Sequence, residues 1–447
     1  MGSRTISLPL RKIERRKGWH KTSPMRHLLA VALLGWAGAQ AQAEPLQVLH
    51  WWKSTSEHKA IDLLAASLAA ENVVWHESLI PSGSGNGATI VLKSRVLAGD
   101  APDAAQLNGP VIGEWAELGL LVDLDKVAEA GKWDKLLFPE VATWIKPHGH
   151  VVVAPIGIHR INTLFTNRKI FNQYGLTPPQ TWDEFERVAA KLHKAGVPAL
   201  AQSSEPWQLA TLFESLVLAE GGAAFFRDVF VVKDPAAYAD PRFAHALQRL
   251  RSYKQWMAAP IQDALWQDVT RQFVDGGAAM MVMGDWAKGE LNAWGFATDG
   301  AFGCQAAPGT ADYHLFDIDT LAMFAGANMH RNAQLKLAQA AMTPALQEDY
   351  NQIKGSIPPL RNPDFAKMDS CARDSWKTFA RGSAAQVPSF SHHMATDDTS
   401  RDAIMGELHR FFMDDGVAVA DTQRRLETMA RVLTKIGMKD NAQNPHR

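Results

Sequence analysis

The sequence is short of several features that define common functional classes. It has two cysteines in 447 residues, Cys304 and Cys371. That excludes a disulfide-dense small fold and any four-cysteine zinc site. It has no surplus of positive charge: 46 Lys and Arg against 47 Asp and Glu give a formal net charge of −1. A nucleic-acid-binding chain would carry a basic excess. There is no Gly-x-Ser-x-Gly, no His-Glu-x-x-His, and no Gly-rich segment with Lys-Ser/Thr at P-loop spacing. The serine-hydrolase, zinc-protease and P-loop signatures are therefore missing. Tyrosine is scarce at 5, whereas tryptophan reaches 15. So many indoles need either a large core or flat apolar ligands. At 46% apolar residues the chain is rich enough for buried cores, and its length predicts two or three domains.

The charge balance hides a lopsided distribution. Residues 1–43 carry eight Lys and Arg and one acid, Glu14. An apolar run over Leu28–Gly38 follows, then Ala39-Gln-Ala41-Gln-Ala43. A basic start, a short apolar stretch and a small-x-small ending form a secretory signal peptide, cleaved near Ala43. The run is too short for a membrane span, which needs about 20 residues. No later apolar run reads as long enough either. Without the leader, 38 basic and 46 acidic residues remain, a net charge near −8. The expectation is an exported, periplasmic, mildly acidic protein, with no nucleic-acid partner. Export also permits a disulfide, and Cys304 with Cys371 is the one pair available.

After residue 43, strand-like and helix-like runs alternate. Strands are predicted at Leu46–His50, Asp103–Leu107, His150–Pro155, Ala278–Met283 and Leu315–Phe324. Ser54-x-x-Glu57 and Thr181-x-x-Glu184 are capping boxes, each opening a helix with one apolar face. Further helices are predicted over Thr89–Ala98, Gly113–Leu121, Trp207–Glu220, Pro241–Met257, Asp285–Trp294 and Val417–Gly437. Ser82-Gly-Ser-Gly-Asn-Gly87 reads as a turn before the Thr89 helix. The alternation predicts α/β lobes whose sheets are covered on both faces.

Two His pairs, His148-x-His150 and His392-His393, lack metal-ligand spacing, so no metal or cofactor is expected. The aromatic positions say more. Trp51-Trp52 follows the first strand, and Trp286 follows the strand at 278–283. Open α/β sheets bind ligands beyond the carboxyl ends of their strands. A Trp there is either a lid over the core or a ligand platform. Such residues in two distant segments favour a sandwich, in which indole faces stack on the C–H face of a pyranose ring.

With these positions in view, the sequence resembles the family 1 extracellular solute-binding proteins of ABC transporters, in particular their glucose/mannose-binding branch. The resemblance rests on Leu49-His-Trp-Trp52, Val91-Leu-Lys-Ser-Arg95, Gly109-Pro-x-Ile-x-Glu-Trp115, Pro155-x-Gly-Ile-His-Arg-x-Asn162, Met283-Gly-Asp-Trp-Ala-Lys288, Asp317-Ile-Asp319, Lys354-Gly-Ser-Ile-Pro358 and His392-x-Met-Ala-Thr396. It implies a two-lobed periplasmic binding protein-like (type II) α/β fold, with a hinge and a ligand cleft between the lobes. The lobes would be 44–155 plus 308–354, and 156–307 plus 355–447, with both cysteines in the second. It further implies that Trp51 and Trp52 stack on sugar, that Trp286 faces them, and that Glu57 binds hydroxyls. Asp317 or Asp319 supplies an acidic contact. Lys354 and His392 supply the other polar contacts, and Lys93 and His159 are further candidates. The expected protein is a monomer, and not an enzyme. It would bind a monosaccharide, glucose or mannose, and deliver it to a membrane permease, with a chemoreceptor as a further partner. The competing expectations are a secreted glycosidase, whose paired carboxylates would flank a scissile bond, and a binder of longer oligosaccharides.

Overall fold

Among the described residues, ten short strands, most of them buried along their whole length, form two sheets. The computed structural model describes residues 43–79, 85–326 and 329–443. The leader over residues 1–42 and residues 82–84 of the glycine-containing turn lie outside the described residues. Residues Gln42–Arg447 form one compact unit.

The strands are β1 (Glu44–His50), β2 (Val73–Leu79), β3 (Ala104–Gln106), β4 (Val153–Arg160), β5 (Thr163–Asn167), β6 (Leu200–Ala201), β7 (Met280–Met283), β8 (Phe302–Ala306), β9 (His314–Met323) and β10 (Gln386–Pro388). The first sheet runs β10-β9-β3-β1-β2, with β4 paired to β9. The second runs β6-β7-β5-β8. Seven helices bear on the site: α1 (Thr55–Ala69), α2 (Gly85–Leu97), α3 (Pro206–Arg227), α4 (Trp286–Ala293), α5 (Pro344–Lys354), α6 (Ser370–Phe379) and α7 (Asp398–Met413).

Both helices start where their caps were expected, but only the first capping box closes completely, since Glu184 reaches the residue before the cap and not the cap itself. At α1, the Ser54 hydroxyl accepts the Glu57 N–H while the Glu57 carboxylate accepts the Ser54 N–H. The Thr181 hydroxyl accepts the Glu184 N–H, and Glu184 reaches back to the Gln180 N–H (2.7 Å). Other boundaries shift. The helix expected from Thr89 begins at Gly85, so Gly85 and Gly87 belong to α2. The strand expected over His150–Pro155 starts at Val153 and continues to Arg160, because its second half pairs with β9. The helix expected to run to Met257 ends at Ser252 and tightens into a 3₁₀ turn over Tyr253–Trp256.

One expectation fails. The apolar stretch Pro206–Val232 is, by length and composition, long enough to cross a membrane. However, 67% of its most apolar window is buried inside the fold, and Leu209, Leu212, Phe213 and Leu216 lie in the second hydrophobic core. It is apolar on all sides because it is packed on all sides.

Two hydrophobic cores define the two lobes of this α/β fold. The first holds β1, β3, α1, Ile156, Ile158 and most of β9 from Phe316 onward. The second holds Ile161, β5, β7, α3 and Leu315. The long β4–β9 ribbon passes from one core to the other. Relative to the expected division, Ile357, Met368, Ala372 and Phe379 pack with the first core. Ile357 is held there by reciprocal backbone hydrogen bonds with Ile158 of β4 (2.8 and 2.9 Å).

Cys304 and Cys371 are joined, with Cα atoms 5.9 Å apart. Cys304 lies on β8 of the second sheet, whereas Cys371 lies on α6, whose Ala372 and Phe379 pack into the first core. The bridge therefore ties two cores together rather than lying within the second lobe. A second tie is polar. Glu290 of α4 accepts the backbone N–H groups of Thr55 (3.1 Å) and Ser56 (2.7 Å) at the start of α1. An anion is well placed there, since the first N–H groups of a helix have no partner within it and carry the positive end of its dipole.

Candidate ligand site

Three short segments bring the polar side chains of the site together. The first is the turn from β1 into α1. Trp51 and Trp52 follow the strand end, and Glu57 sits in the first turn of the helix. Glu57 Oε2 caps the turn by accepting the N–H groups of Lys53 and Ser54 (2.8 Å each). Its other oxygen, Oε1, accepts from Lys354 Nζ at 3.1 Å. Lys354 is the last residue of α5, and Gly355 ends that helix with φ of 99°. A Cβ at Gly355 would lie 2.3 Å from the Asp285 carbonyl oxygen, so only glycine fits. The Lys354 ammonium lies 5.7 Å from the Trp52 ring centroid. Burial disfavours both charges. Nevertheless, Lys354 and the backbone N–H groups hold Glu57 below the usual carboxylate range, and Glu57 and Asp319 raise Lys354. The pair is thus ionised in place.

The second segment is the β4–β9 ribbon. Side chains two apart on a strand share a face, so Asp317 and Asp319 point together, and His159 pairs opposite Asp317. His159 Nδ1–H donates to Asp285 (2.5 Å) and Nε2–H to Asp319 (3.2 Å). Burial alone would strip a proton from the ring. The Asp285 carboxylate, with the two hydrogen bonds, outweighs it and lifts the pKa to about 9. Asp319 also accepts from Gln106 Nε2 (2.8 Å) and Asn108 Nδ2 (3.0 Å). Despite its burial, Asp319 is held well below the usual range by His159, whereas burial and the adjacent Asp319 charge push Asp317 well above it. Two like carboxyls side by side do not both ionise. Asp319 is the stronger acceptor of the pair, and Asp317, which accepts from Asn108 Nδ2 (3.1 and 3.3 Å), is the one driven toward its protonated form.

The third segment group comes from the second core. Trp286 begins α4 just past β7, Trp207 sits in the first turn of α3, and His392 follows β10. Their rings cluster, with centroids 4.8 Å apart for Trp286–His392, 5.6 Å for Trp207–His392 and 6.1 Å for Trp207–Trp286.

These groups line one cavity of about 590 Å³. Of the ten residues expected at a site, Trp51, Trp52, Glu57, His159, Trp286, Asp317, Asp319, Lys354 and His392 all line it. Lys93 does not. Its side chain is 48% exposed on α2, and its nearest partner is Asp398 at the start of α7, 3.8 Å away. Gln106, Glu205, Trp207, Trp266, Gln267 and His393 also line the cavity and were not anticipated. Trp207 obeys the same rule as Trp286. It escaped notice because the preceding strand, β6, is only two residues long. Gln106 lies in a strand that was anticipated, but a single amide carries no pattern. Asp285, which orients His159, lies within a quoted motif without any sign of its role. The chain's close approaches are also built in: a Cβ at Gly109 (φ 73°) would lie 1.9 Å from the His393 carbonyl oxygen.

Residues 72–328 match the family of bacterial extracellular solute-binding proteins. A probable sugar-binding periplasmic protein of Rhizobium meliloti is 32% identical over 386 residues, covering 86% of this chain and 93% of the relative. A probable sugar-binding periplasmic protein of Brucella melitensis is 31% identical, covering 86% and 92%. Among solved structures, the bacterial solute receptor AcbH, described with an exclusive preference for β-D-galactopyranose, superposes with a TM-score of 0.75 at 16% identity over 88% of this chain and 99% of that one. Maltose-bound T. maritima MalE3 gives 0.70 at 16% identity, covering 88% and 100%. At those identities the likeness concerns the two-lobed fold. A cavity between two α/β cores, walled by indoles and lined with fixed charges, thus occurs in a chain that belongs to the bacterial extracellular solute-binding proteins, a family of receptors and not of enzymes.

Proposed function

We propose that the protein is exported to the periplasm, captures a monosaccharide (glucose, or mannose) by closing its two lobes around it, and delivers it to the membrane permease of an ABC transporter. The observation that carries this reading is the division of the cavity wall. Trp51 and Trp52 come from the first core, Trp286 and Trp207 from the second, and between them lie the cations His159 and Lys354 and the carboxyl groups of Asp317, Asp319 and Glu57. Indoles suit the C–H faces of a pyranose, and fixed charges suit its ring of hydroxyls. The sugar-binding names of the relatives at 31–32% identity point the same way. That β1 opens at Glu44, the residue after the expected cleavage, fits export. A Kd near 1 μM needs about −8 kcal/mol. Over the twelve heavy atoms of a hexose that is about −0.7 kcal/mol per atom, within the ceiling of about −1.5.

Size favours one second reading. Even at the ~30 Å³ a water takes in the liquid, twelve heavy atoms fill about 360 Å³, less than the 590 Å³ of the cavity. A two-ring sugar would use the remainder, next to Trp207, Trp266 and Gln267. Calorimetric titration with glucose, mannose, galactose, maltose and cellobiose decides between them. Tightest binding of glucose or mannose supports the first reading. A disaccharide that binds at least tenfold tighter than every monosaccharide replaces it with the second.

A further inference from the structure

Behind the cavity wall lies a buried acid that the contacts above do not use. Glu214, midway along α3, is 0% exposed. Its carboxylate accepts the Phe390 N–H (2.7 Å) and the hydroxyls of Ser389 (2.9 Å) and Ser391 (2.5 Å). Among the described residues, no cation hydrogen-bonds to it. The Ser391 hydroxyl is also 2.6 Å from His392 Nδ1, and His392 stands in the cavity wall between Trp286 and Trp207. Glu214, Ser391 and His392 therefore form a chain that runs from the interior to the ligand site.

A serine hydroxyl has one proton to donate and lone pairs to accept. Once ionised, the Glu214 carboxylate is the strongest acceptor within its reach and takes that proton. Thr211 Oγ1, 3.1 Å from Ser391 Oγ, is turned toward the Trp207 carbonyl (3.0 Å). Ser391 is left to accept from His392, so Nδ1 must carry the ring proton. Burial, together with the nearby His393 and His159, keeps His392 from taking a second proton. We propose that Glu214 is a positioning residue for the ligand site: through Ser391 it fixes His392 as the Nδ1–H tautomer, so that Nε2 offers a lone pair to a ligand hydroxyl. The tautomer is a property of the free protein. Only the identity of the ligand group rests on the sugar-binding reading.

The test uses the whole protein labelled with ¹⁵N-histidine, at pH 8.5, where Glu214, raised by burial to about 7, is ionised. Long-range ¹H–¹⁵N spectra distinguish the tautomers, and the His392→Gln variant identifies the His392 signals. The wild-type ring should show a protonated Nδ1 and a bare Nε2. In Glu214→Gln the amide oxygen must keep the Phe390 N–H, which turns the amide NH₂ toward the serine hydroxyls. The Ser391 proton is then free for Nδ1, and the two signals should exchange. A bare Nδ1 in the wild type, or an unchanged pattern in a folded Glu214→Gln protein, overturns the proposal. Should that variant not fold, Ser391→Ala breaks the chain without touching the acid. A mixture of tautomers is then expected, and a pure Nδ1–H form overturns the assignment. Glucose affinity is measured in parallel and should fall at least tenfold in Glu214→Gln. A wild-type Nδ1–H ring in a protein that binds no sugar would leave the tautomer assignment standing and remove the sugar reading instead.

Discussion

Trp51 and Trp52 are neighbours in sequence with different duties. Trp52 is 1% exposed and belongs to the first core, with its ring 5.0 Å from that of His50. Trp51 is half-buried at the cavity, 6.2 Å from the His393 ring. A lid over the core and a ligand platform were alternatives for this pair; Trp52 is buried in the core, and Trp51 is the one left half-exposed where both meet the cavity. Truncating a buried Trp to Ala costs about 3–5 kcal/mol, so Trp52→Ala should lower both the melting temperature and the sugar affinity. Trp51→Ala should cost more than about 1 kcal/mol of binding, roughly fivefold or greater, at nearly constant melting temperature. Thermal melts and titrations of the two variants check this. Equal melting temperatures would contradict the division.

His159 makes a second prediction at this scale. Its folded pKa of about 9 lies above its ordinary 6.5. A raised pKa gives stability that is complete below 6.5 and lost as pH climbs through 9, up to about 3 kcal/mol. Denaturant unfolding at pH 6.5 and pH 9.5 should show the loss, and His159→Gln should flatten it. Residue-level legibility follows the same logic. Asp317, Asp319 and Glu57 were legible only through the family resemblance; period two puts both Asp residues on one face without choosing between them, and the capping box alone gives Glu57 a structural duty. Asp285 and Glu214 were not legible, since each acts on a partner more than a hundred residues away.

At the scale of elements, α4 and α5 hold the site in register. α4 carries Trp286 and α5 ends in Lys354, and the helices touch where α4 has Gly289. A Cβ there would lie 2.4 Å from the Lys354 carbonyl oxygen and 2.6 Å from that of Ile353. Gly289→Ala should therefore push the helices apart, cost about 1–3 kcal/mol, and weaken sugar binding at least tenfold with secondary structure retained. Calorimetry and circular dichroism read the two effects; undiminished affinity would show that the helices are not what aligns Trp286 with Lys354. The helices with capping boxes were legible because their termini are written locally. β5 and β8 were not: the five residues of β5 are all buried and those of β8 are uniformly half-buried after Phe302, so neither shows an alternation. The membrane-like length and composition of α3 went unrecognised; burial of residues 208–218 on every face selects the residues that a bilayer would.

At the scale of the molecule, the placement of the bridge matters more than its presence. Cys304 and Cys371 enclose 67 residues of sequence separation, and the chain-entropy account makes such a link worth about 4 kcal/mol. Because it joins β8 to a helix of the other core, the oxidised protein should melt in one calorimetric transition. Reduction should lower the melting temperature and broaden or split that transition. A reduced protein that melts identically would remove the bridge from the stability of the fold. Two lobes were legible from the order of the elements. Which lobe owns residues 357–379 was not, because a backbone pairing between Ile158 and Ile357 decides it.

Glu290 carries a consequence for the economics of transport. Its carboxylate belongs to one lobe and neutralises the open end of the first helix of the other. Parting the lobes would hand both N–H groups and the carboxylate back to water, so the closed shape has its own source of stability before any sugar arrives. The sugar then has less of the closing work to perform, and its apparent affinity approaches the intrinsic affinity of the closed cleft. If the lobes close as proposed, the same contact would favour the shut form of an empty receptor, and a permease would have to tell a loaded cargo bay from a locked, vacant one.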